Sequence, residues 1–294
     1  MAIAGADEPR SLHLPAPDGL LLHALEWGSA VSPRLPVLCL PGLARTADDF
    51  PVLAAALSAR DGRRVIAVDY RGRGGSARDP DPARYTVAVE AADVLTVCDA
   101  RAIRRAAIVG TSRGGLVAML LAALRPELLA GVVLNDIGPV IEPAGLARIR
   151  GYVGKLAPPR NWTEAARLLA TVLGAQFPAL MPADWERRAR LTWSEEAGGL
   201  ALRYDPRLAD NLAAADIPPL CEAFDRFGAT PVLVIRGALS DLLSTETVEA
   251  MEQRLPRVDS WVVAHEGHAP LLEDAATVDR IARFVDEVER LPSS

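Results

Sequence analysis

A serine stands between glycines in the stretch 110–115, whose sequence is GTSRGG. The apolar run 106–109 precedes it and the apolar segment 116–124 follows it, which predicts a strand, a sharp turn and a helix in that order. In this setting a G-x-S-x-G turn holds its serine at a strained corner, with the hydroxyl above the sheet and a helix N-terminus beneath it. Ser112 is therefore the candidate nucleophile. An ordinary glycine-rich connection is the alternative interpretation.

A serine nucleophile needs a general base within hydrogen-bond reach. The chain has four histidines, and His13 and His23 fall in a predicted N-terminal hairpin. His265 and His268 fall at the end of the last predicted strand, at the edge where a parallel sheet presents its functional residues. His268 follows Gly267 just past that strand and is the predicted base. His265 is interpreted as a packed structural histidine.

The base needs an acid that orients its ring. Asp241 directly follows the next-to-last predicted strand, and the order Ser112, Asp241, His268 is typical of proteins with this serine turn. We therefore predict Asp241 as the acid. Asp136, at the end of the preceding strand, is the alternative acid, because a carboxylate there can reach the same imidazole. Asp136 could instead form an Asx turn or cap a helix.

Attack on a carbonyl carbon also needs donors for the negative charge that develops on its oxygen, and these are usually two backbone N–H groups. The amide of Arg113, directly after the candidate nucleophile, is one predicted donor. The loop after the predicted strand 37–40 supplies Leu43, and Gly42 lets that backbone approach closely. A simple turn at Pro41 and Gly42 is the alternative.

These residues must be positioned by an α/β fold. Residues 11–27 predict a β-hairpin, and from residue 36 short apolar strands alternate with helical segments, which indicates βαβ units and a mostly parallel sheet with helices on both faces. Residues 139–225 contain helical patches broken by prolines and no convincing strand. We predict a core of residues 1–138 and 226–294 with an eight-stranded sheet, and an inserted helical cap at 139–225.

Composition excludes several other classes of protein. The chain has 294 residues, of which 50% are hydrophobic and 24% charged, as in a soluble globular protein. A net charge of −6 argues against a nucleic-acid partner. Three cysteines without a C-x-x-C spacing suggest neither disulfides nor a zinc site, and we expect no metal. The sequence predicts neither a secretory signal nor a membrane span, so we expect a cytoplasmic protein without a membrane partner.

Taken together, the motifs resemble the α/β-hydrolase superfamily over essentially the whole chain, and most closely its cap-bearing esterases and carbon–carbon-bond hydrolases. The motifs, in chain order, are LPGL at 40–43, DYRGRGGS at 69–76, GTSRGG at 110–115, SD at 240–241 and GH at 267–268. The resemblance implies Ser112 as nucleophile, His268 as base, Asp241 as acid, and Leu43 and Arg113 as oxyanion-hole donors. It implies a lid at 139–225. One departure is Pro41, which stands where the family usually has histidine.

The resemblance and the serine together favour one reaction. A serine at position 112 excludes relatives that use an aspartate nucleophile. We predict hydrolysis of a carboxylic ester of a small or medium apolar substrate through an acyl-enzyme intermediate, without a cofactor. A lactone or a carbon–carbon bond beside a ketone is the alternative substrate. A cofactor-free perhydrolase or lyase, or a binding protein on the same fold, is a further alternative. The sequence leaves a homodimer open.

Two further groups of residues admit a functional and a structural interpretation. Arg71 and Arg73 could bind anions, but we interpret the stretch 69–76 that contains them as a structural turn. Tryptophans in the predicted cap could line an apolar pocket or form the core of the cap. They are Trp162, Trp185 and Trp193.

Overall fold

Strands and helices alternate along most of the chain, as the spacing of its apolar runs predicts. A computed structural model describes residues 8–213 and 219–291. Its strands are β1 (Arg10–Pro15), β2 (Leu21–Trp27), β3 (Val37–Leu40), β4 (Val65–Asp69), β5 (Ala106–Thr111), β6 (Leu129–Asn135), β7 (Trp193–Glu196), β8 (Gly199–Leu202), β9 (Val232–Gly237) and β10 (Val258–Val263). Its α-helices are α1 (Pro51–Asp61), α2 (Val87–Ala100), α3 (Arg113–Leu124), α4 (Pro143–Tyr152), α5 (Trp162–Leu173), α6 (Pro182–Thr192), α7 (Leu208–Ala213), α8 (Cys221–Asp225), α9 (Thr245–Arg254) and α10 (Ala275–Arg290).

Eight strands form one sheet in the order β1-β2-β4-β3-β5-β6-β9-β10. β2 pairs antiparallel with both of its neighbours. The other six strands of this sheet, β4, β3, β5, β6, β9 and β10, pair parallel with one another. The predicted mostly parallel, eight-stranded α/β architecture is therefore confirmed. Because neighbouring parallel strands end at one edge, the chain that follows β3, β5, β6, β9 and β10 converges there.

Helices cover both faces of the sheet, which explains why its central strands are apolar throughout. β3, β4 and β6 are buried along their whole length. α1 and α10 pack on one face, and α2, α3 and α9 pack on the other. α10 directs Val278, Ile281, Val285 and Val288 inward at helical spacing. Strands buried on both faces keep the edge that carries the functional loops in place.

The segment predicted as a cap, 139–225, lies between β6 and β9 and folds into α4 to α8 together with a two-stranded hairpin, β7–β8. The expectation that it contains no strand is wrong at this hairpin. Its strands are only four residues long. β7 carries two exposed glutamates and β8 begins with a glycine, so neither strand is a continuous run of four apolar residues. The segment has an apolar cluster of its own, which includes Leu169, Trp185 and Trp193. Parts of the predicted core and cap at 1–7, 214–218 and 292–294 lie outside the described residues.

The helices of the two described ranges, 8–213 and 219–291, include none that is both long and apolar enough to cross a lipid bilayer.

Candidate active site

Ser112 lies at the junction of β5 and α3 in a strained backbone conformation. Its φ is 49° and its ψ is −108°, and residues with a side chain seldom adopt such a positive φ. The neighbouring glycines allow the turn to close. A Cβ at Gly110 would lie 2.6 Å from the backbone of Gly114, and a Cβ at Gly114 would lie 2.1 Å from the carbonyl oxygen of Leu40. The predicted sharp turn is thus present, with the serine at its corner.

His268 follows β10 in a loop that brings its imidazole to the serine. Its Nε2 lies 2.9 Å from Ser112 Oγ, and its Nδ1 lies 2.8 Å from Asp136 Oδ2. An ionised carboxylate only accepts hydrogen bonds, so Nδ1 carries the proton in this arrangement. Nε2 is then free to accept the proton of the serine hydroxyl. The backbone N–H of His268 donates to Gln176 Oε1 at 2.8 Å, which fixes the loop from the cap side.

Asp136 takes the position that the sequence assigned to Asp241. Its carboxylate is completely buried. Oδ1 accepts the backbone N–H of Gly237 at 2.8 Å, and Oδ2 accepts the Ser240 hydroxyl at 2.5 Å as well as His268 Nδ1–H. These donors come from distant parts of the chain, so the Asx-turn and helix-cap interpretations of Asp136 do not describe it. The carboxylate is held in place from three directions.

Asp241 does not contact His268, which corrects the predicted placement. Its carboxylate forms a two-pronged pair with Arg148 of α4, at 2.7 Å to Nε and 2.8 Å to Nη2. β6 and β9 are parallel neighbours in the sheet, so a residue that follows either strand lies at the same edge. The loop after β9 turns Ser240 toward Asp136 and Asp241 toward α4. Burial raises the pKa of Asp241, but the hydrogen bonds and charge of Arg148 outweigh burial and leave that pKa below its ordinary value.

The loop after β3 brings Leu43 to the serine. Gly42, Leu43 and Ser112 line one cavity. The guanidinium of Arg73 donates through Nε to the carbonyl oxygen of Leu43 at 2.9 Å. Arg113 is the first residue of α3 and follows Ser112 directly. Of the two residues predicted as backbone donors, Leu43 therefore lines the same cavity as Ser112, and Arg113 is its neighbour along the chain.

The cavity at Ser112 encloses about 140 Å³ and is mostly apolar. His268 and the loop after β3 form one side of it. The predicted cap forms much of the rest, through Ile149, Val153, Leu169, Leu173, Phe177, Leu180 and Trp185. Two arginines, Arg45 and Arg188, also line the cavity. Apolar walls with a few polar groups near a reactive side chain are typical of a small-molecule site.

The three cap tryptophans have different surroundings. Trp185 lines the cavity. Trp193 is buried in the apolar cluster of the cap. Trp162 donates through Nε1 to Glu195 Oε1 at 2.8 Å, and the guanidinium carbon of Arg190 lies 4.5 Å from the centre of its ring. Only Trp185 of these three is in a position to contact a bound molecule.

The sequence analysis gave no role to two residues that contact the site, Ser240 and Gln176. Ser240 stands directly before Asp241, and the strand end that drew attention to the aspartate could have drawn attention to the serine. Gln176 follows α5 and meets His268 only through the tertiary structure. No local pattern in the sequence distinguishes Gln176.

A second serine, histidine and aspartate meet at the end of β4, on the side of the sheet that β1 and β2 form. Ser11 Oγ lies 2.9 Å from His23 Nε2, and His23 Nδ1 lies 2.7 Å from Asp69 Oδ2. Ser11 is exposed in the second position of β1, so no sharp turn presents it and no helix starts behind it. Asp69 also accepts the backbone N–H of Ala47 and of Gly75, at 2.7 Å and 2.9 Å, which is a structural task at the end of β4. This cluster therefore has the same three residue types as Ser112, His268 and Asp136, but it lacks the sharp turn and the helix that follow β5.

Within the part of the chain that the structure describes, no three His, Cys, Asp or Glu side chains gather closely enough to hold a metal ion.

The same architecture occurs in known proteins. A family model described as the alpha/beta hydrolase fold matches residues 36–275. A 3-hydroxybutyrate-oligomer hydrolase of Cupriavidus necator is 35% identical over 270 residues, which cover 88% of this chain and 90% of that protein. An sn-1-specific diacylglycerol lipase of Mus musculus is 32% identical over 292 residues, which cover 90% of each chain.

A solved structure is similar over nearly its whole length. An α/β hydrolase from Novosphingobium aromaticivorans superposes with a TM-score of 0.87 and 36% sequence identity, and the match covers 96% of this chain and 99% of that one.

Proposed function

Because the chain belongs to the α/β-hydrolase family, we propose that it is a serine hydrolase that cleaves a carboxylic ester of a small or medium apolar substrate. One observation carries the proposal: the hydrogen-bonded series Ser112, His268, Asp136 opens into a mostly apolar cavity. The relatives support hydrolysis, since one is named as a hydrolase of 3-hydroxybutyrate oligomers and another as a diacylglycerol lipase.

The reaction begins when Ser112 Oγ attacks the carbonyl carbon of the ester and His268 Nε2 takes the hydroxyl proton. The carbonyl oxygen becomes an anion, which the backbone N–H groups of Leu43 and Arg113 stabilise. The carbon–oxygen bond of the ester then breaks, and the alcohol leaves with the proton from His268. An acyl group remains on Ser112.

Water completes the cycle on the same atoms. His268 Nε2 accepts a proton from a water molecule while the oxygen of that water attacks the acyl carbon. When the second tetrahedral intermediate breaks down, the proton returns to Ser112 and the carboxylic acid leaves. Asp136 keeps accepting Nδ1–H throughout and does not change its own protonation state. Its partners Gly237 N–H and Ser240 Oγ–H stabilise that charge.

The segment 139–225 acts as a lid in this proposal. It covers Ser112 with apolar side chains, which exclude bulk water and favour an apolar acyl group.

Substitution of the nucleophile tests the proposal. Ser112→Ala should lower kcat for p-nitrophenyl butyrate by about 10⁴-fold or more, because no other hydroxyl replaces the attacking atom. Steady-state kinetics measures this loss. A phosphonate ester should label the wild-type protein once, on the peptide that contains Ser112. Mass spectrometry of the intact protein counts the labels, and mass spectrometry of the digested protein locates them.

Ser11→Ala is the matched control, because Ser11 also bonds to a histidine that bonds to an aspartate, but it lies outside the turn and the cavity. It should retain wild-type turnover and labelling. Wild-type turnover by Ser112→Ala, or phosphonate on Ser11 instead of Ser112, contradicts the proposal.

A further inference from the structure

The guanidinium of Arg73 is enclosed directly behind the loop that carries Leu43. Its side chain is completely buried. Nε donates to the Leu43 carbonyl oxygen at 2.9 Å, and Nη1 donates to the Arg71 carbonyl oxygen at 2.7 Å. Nη2 forms an ion pair with Glu90 Oε1 at 2.7 Å, without hydrogen-bond alignment. Every nitrogen of this group is therefore engaged, and one of them holds the backbone next to the candidate nucleophile.

Glu90 connects Arg73 to the second predicted donor residue. Its carboxylate, on α2, is also completely buried, and Oε2 accepts Nε–H of Arg113 at 2.6 Å. Arg113 additionally donates through Nη2 to the Tyr85 carbonyl oxygen at 3.2 Å. One carboxylate thus fastens the side chains that lead to both backbone donors, Leu43 through Arg73 and Arg113 directly.

Two aromatic rings restrict the movement of the guanidinium. The centres of the Tyr70 and Tyr85 rings lie 5.5 Å and 5.6 Å from its central carbon. Contacts of this kind attract a cation toward a ring face and are stronger away from water. A guanidinium is also planar, so several hydrogen bonds together fix its orientation. Arg73 is consequently a rigid support.

Arg73 lies where it can restrict the orientation of the Leu43 backbone. The N–H of Leu43 shares a planar peptide with the carbonyl of Gly42, so fixing that carbonyl fixes the direction of the N–H. The Gly42 carbonyl accepts the N–H of Arg45 at 3.2 Å. The next carbonyl along, that of Leu43, is the one that Arg73 holds. With carbonyls anchored on both sides of the Leu43 α-carbon, its amide has little freedom to turn away from the cavity.

From these contacts we infer that Arg73 is a positioning residue, which orients the backbone N–H of Leu43 toward the oxyanion of the transition state. The inference rests on the proposed function, because it assigns Arg73 to the same hydrolytic site. Arg73 touches neither substrate nor the reacting atoms. Arg71, which precedes it in the turn, has a different role, since its guanidinium pairs with Asp93 and Asp79.

Arg73→Lys tests the inference against a closely matched control. Lysine keeps the positive charge but cannot meet Glu90 and the Leu43 carbonyl in the same fork-like geometry. Arg64→Lys is the control, because Arg64 is likewise held between a carboxylate, Glu26 at 2.5 Å, and a backbone carbonyl, that of Arg101 at 2.9 Å. These contacts lie at the start of β4, away from the candidate site.

For p-nitrophenyl butyrate, we expect Arg73→Lys to lower kcat by about 10- to 100-fold, part of the loss that follows removal of an oxyanion donor. KM should stay within about threefold, because the contact matters in the transition state. A trifluoromethyl ketone, which forms an oxyanion when the serine adds to it, should lose affinity in parallel with kcat, and the corresponding alcohol should not. Arg64→Lys should lose similar thermal stability and keep wild-type kinetics.

These measurements distinguish failure of the inference from failure of the proposed function. The inference alone is overturned if the wild-type protein hydrolyses the ester and if Arg73→Lys and Arg64→Lys have equal kcat and equal affinity for the ketone. A wild-type protein with no ester turnover and no phosphonate on Ser112 overturns the proposed function and the inference with it. If Arg73→Lys does not fold, Glu90→Gln against Glu26→Gln decides, since both remove a buried carboxylate between arginines and only Glu90 leads to Leu43 and Arg113. Equal kcat in that pair also overturns the inference.

Discussion

At the scale of single residues, the chemistry depends on which acid meets His268. Asp136 and Asp241 follow neighbouring strands, and both carboxylates start at the same edge of the sheet. Asp136 reaches His268 Nδ1, while Asp241 is drawn to a guanidinium on α4. The difference arises from one turn of backbone after β9, which points Ser240 inward and its neighbour outward.

Asp136→Asn should lower kcat for an ester substrate by about 10⁴-fold, because an amide that donates to Nδ1 favours the tautomer with its proton on Nε2. Steady-state kinetics with p-nitrophenyl butyrate measures this loss. Asp241→Asn is the control and should leave kcat close to the wild-type value, since Asp241 touches Arg148 and not the imidazole. A large loss in Asp241→Asn with none in Asp136→Asn contradicts the assignment.

The cluster of Ser11, His23 and Asp69 has the same residue types and similar hydrogen bonds as the candidate site, so these two features alone do not identify the site. Its two hydrogen bonds are as short as those of Ser112, His268 and Asp136. Ser11 is exposed on a regular strand, whereas Ser112 occupies a positive-φ corner that lines a cavity. We therefore expect hydrogen bonds among three such side chains to support the proposed chemistry only where a turn and a cavity also present the serine.

At the scale of elements, the pair of Asp241 and Arg148 joins the loop after β9 to α4. Both side chains are mostly buried, with 26% and 19% of their surface exposed. The backbone supports the same junction, since Gly145 N–H donates to the Asp241 carbonyl oxygen at 2.9 Å. The contact anchors the first helix of the cap segment to the sheet.

This pair should make the stability of the protein depend on pH. The folded-state pKa of Asp241 lies below its ordinary value of 3.8. The pair therefore stabilises the fold above that value, and the contribution disappears as the pH falls through the lower folded-state pKa. Asp241→Asn should reduce the free energy of unfolding by about 1 kcal/mol near neutral pH. The difference from wild type should shrink below about pH 4.

Urea unfolding followed by tryptophan fluorescence measures that difference. Asp225→Asn is the control, because Asp225 forms an equally two-pronged pair with Arg254 that is far more exposed. Exposed pairs of this kind contribute little, so the control should unfold like the wild type. A stability difference in Asp241→Asn that is independent of pH contradicts the role given to the charge.

At the scale of the whole molecule, the site exists only where the cap segment and the sheet edge meet. Ser112 and His268 come from the sheet edge, and Leu169 and Trp185 come from α5 and α6. In the proposed reaction, we therefore expect the polypeptide between β6 and β9 to limit the size of the acyl group, while Ser112 and His268 at the sheet edge carry out the chemistry.

Leu169→Ala should shift the preference toward longer acyl chains, because it removes apolar volume from the cavity wall. The ratio of kcat/KM for p-nitrophenyl hexanoate over acetate should rise about tenfold, as expected for added methylene groups in an apolar pocket. Leu57→Ala is the control, since Leu57 of α1 is equally buried and packs in the cluster beneath the sheet. Each variant should cost about 2–5 kcal/mol of stability. An equal ratio in both contradicts the role of Leu169.

The sequence predicted the fold and the serine turn because both depend on local patterns of residues. Glycines at 110 and 114 mark the turn that presents Ser112, and alternating apolar runs mark a mostly parallel sheet, which the structure and the family match confirm. The sequence analysis missed the hairpin β7–β8 because its strands are only four residues long and β7 carries two exposed glutamates. Arg73 could be read from the sequence as part of a structural turn, but its hold on Leu43 could not.

By itself, the sequence determined the serine turn, the histidine that follows the last strand and the loop that carries Leu43, since each depends on residues close together in the chain. Only the tertiary structure shows that Asp136 accepts a hydrogen bond from the imidazole of His268, that Gln176 accepts the backbone N–H of His268 and that Arg73 donates to the Leu43 carbonyl oxygen. Those contacts join residues that lie 30 to more than 100 positions apart. Which of several chemically equivalent side chains makes such a contact depends on how strands and loops pack, and no local pattern records that choice.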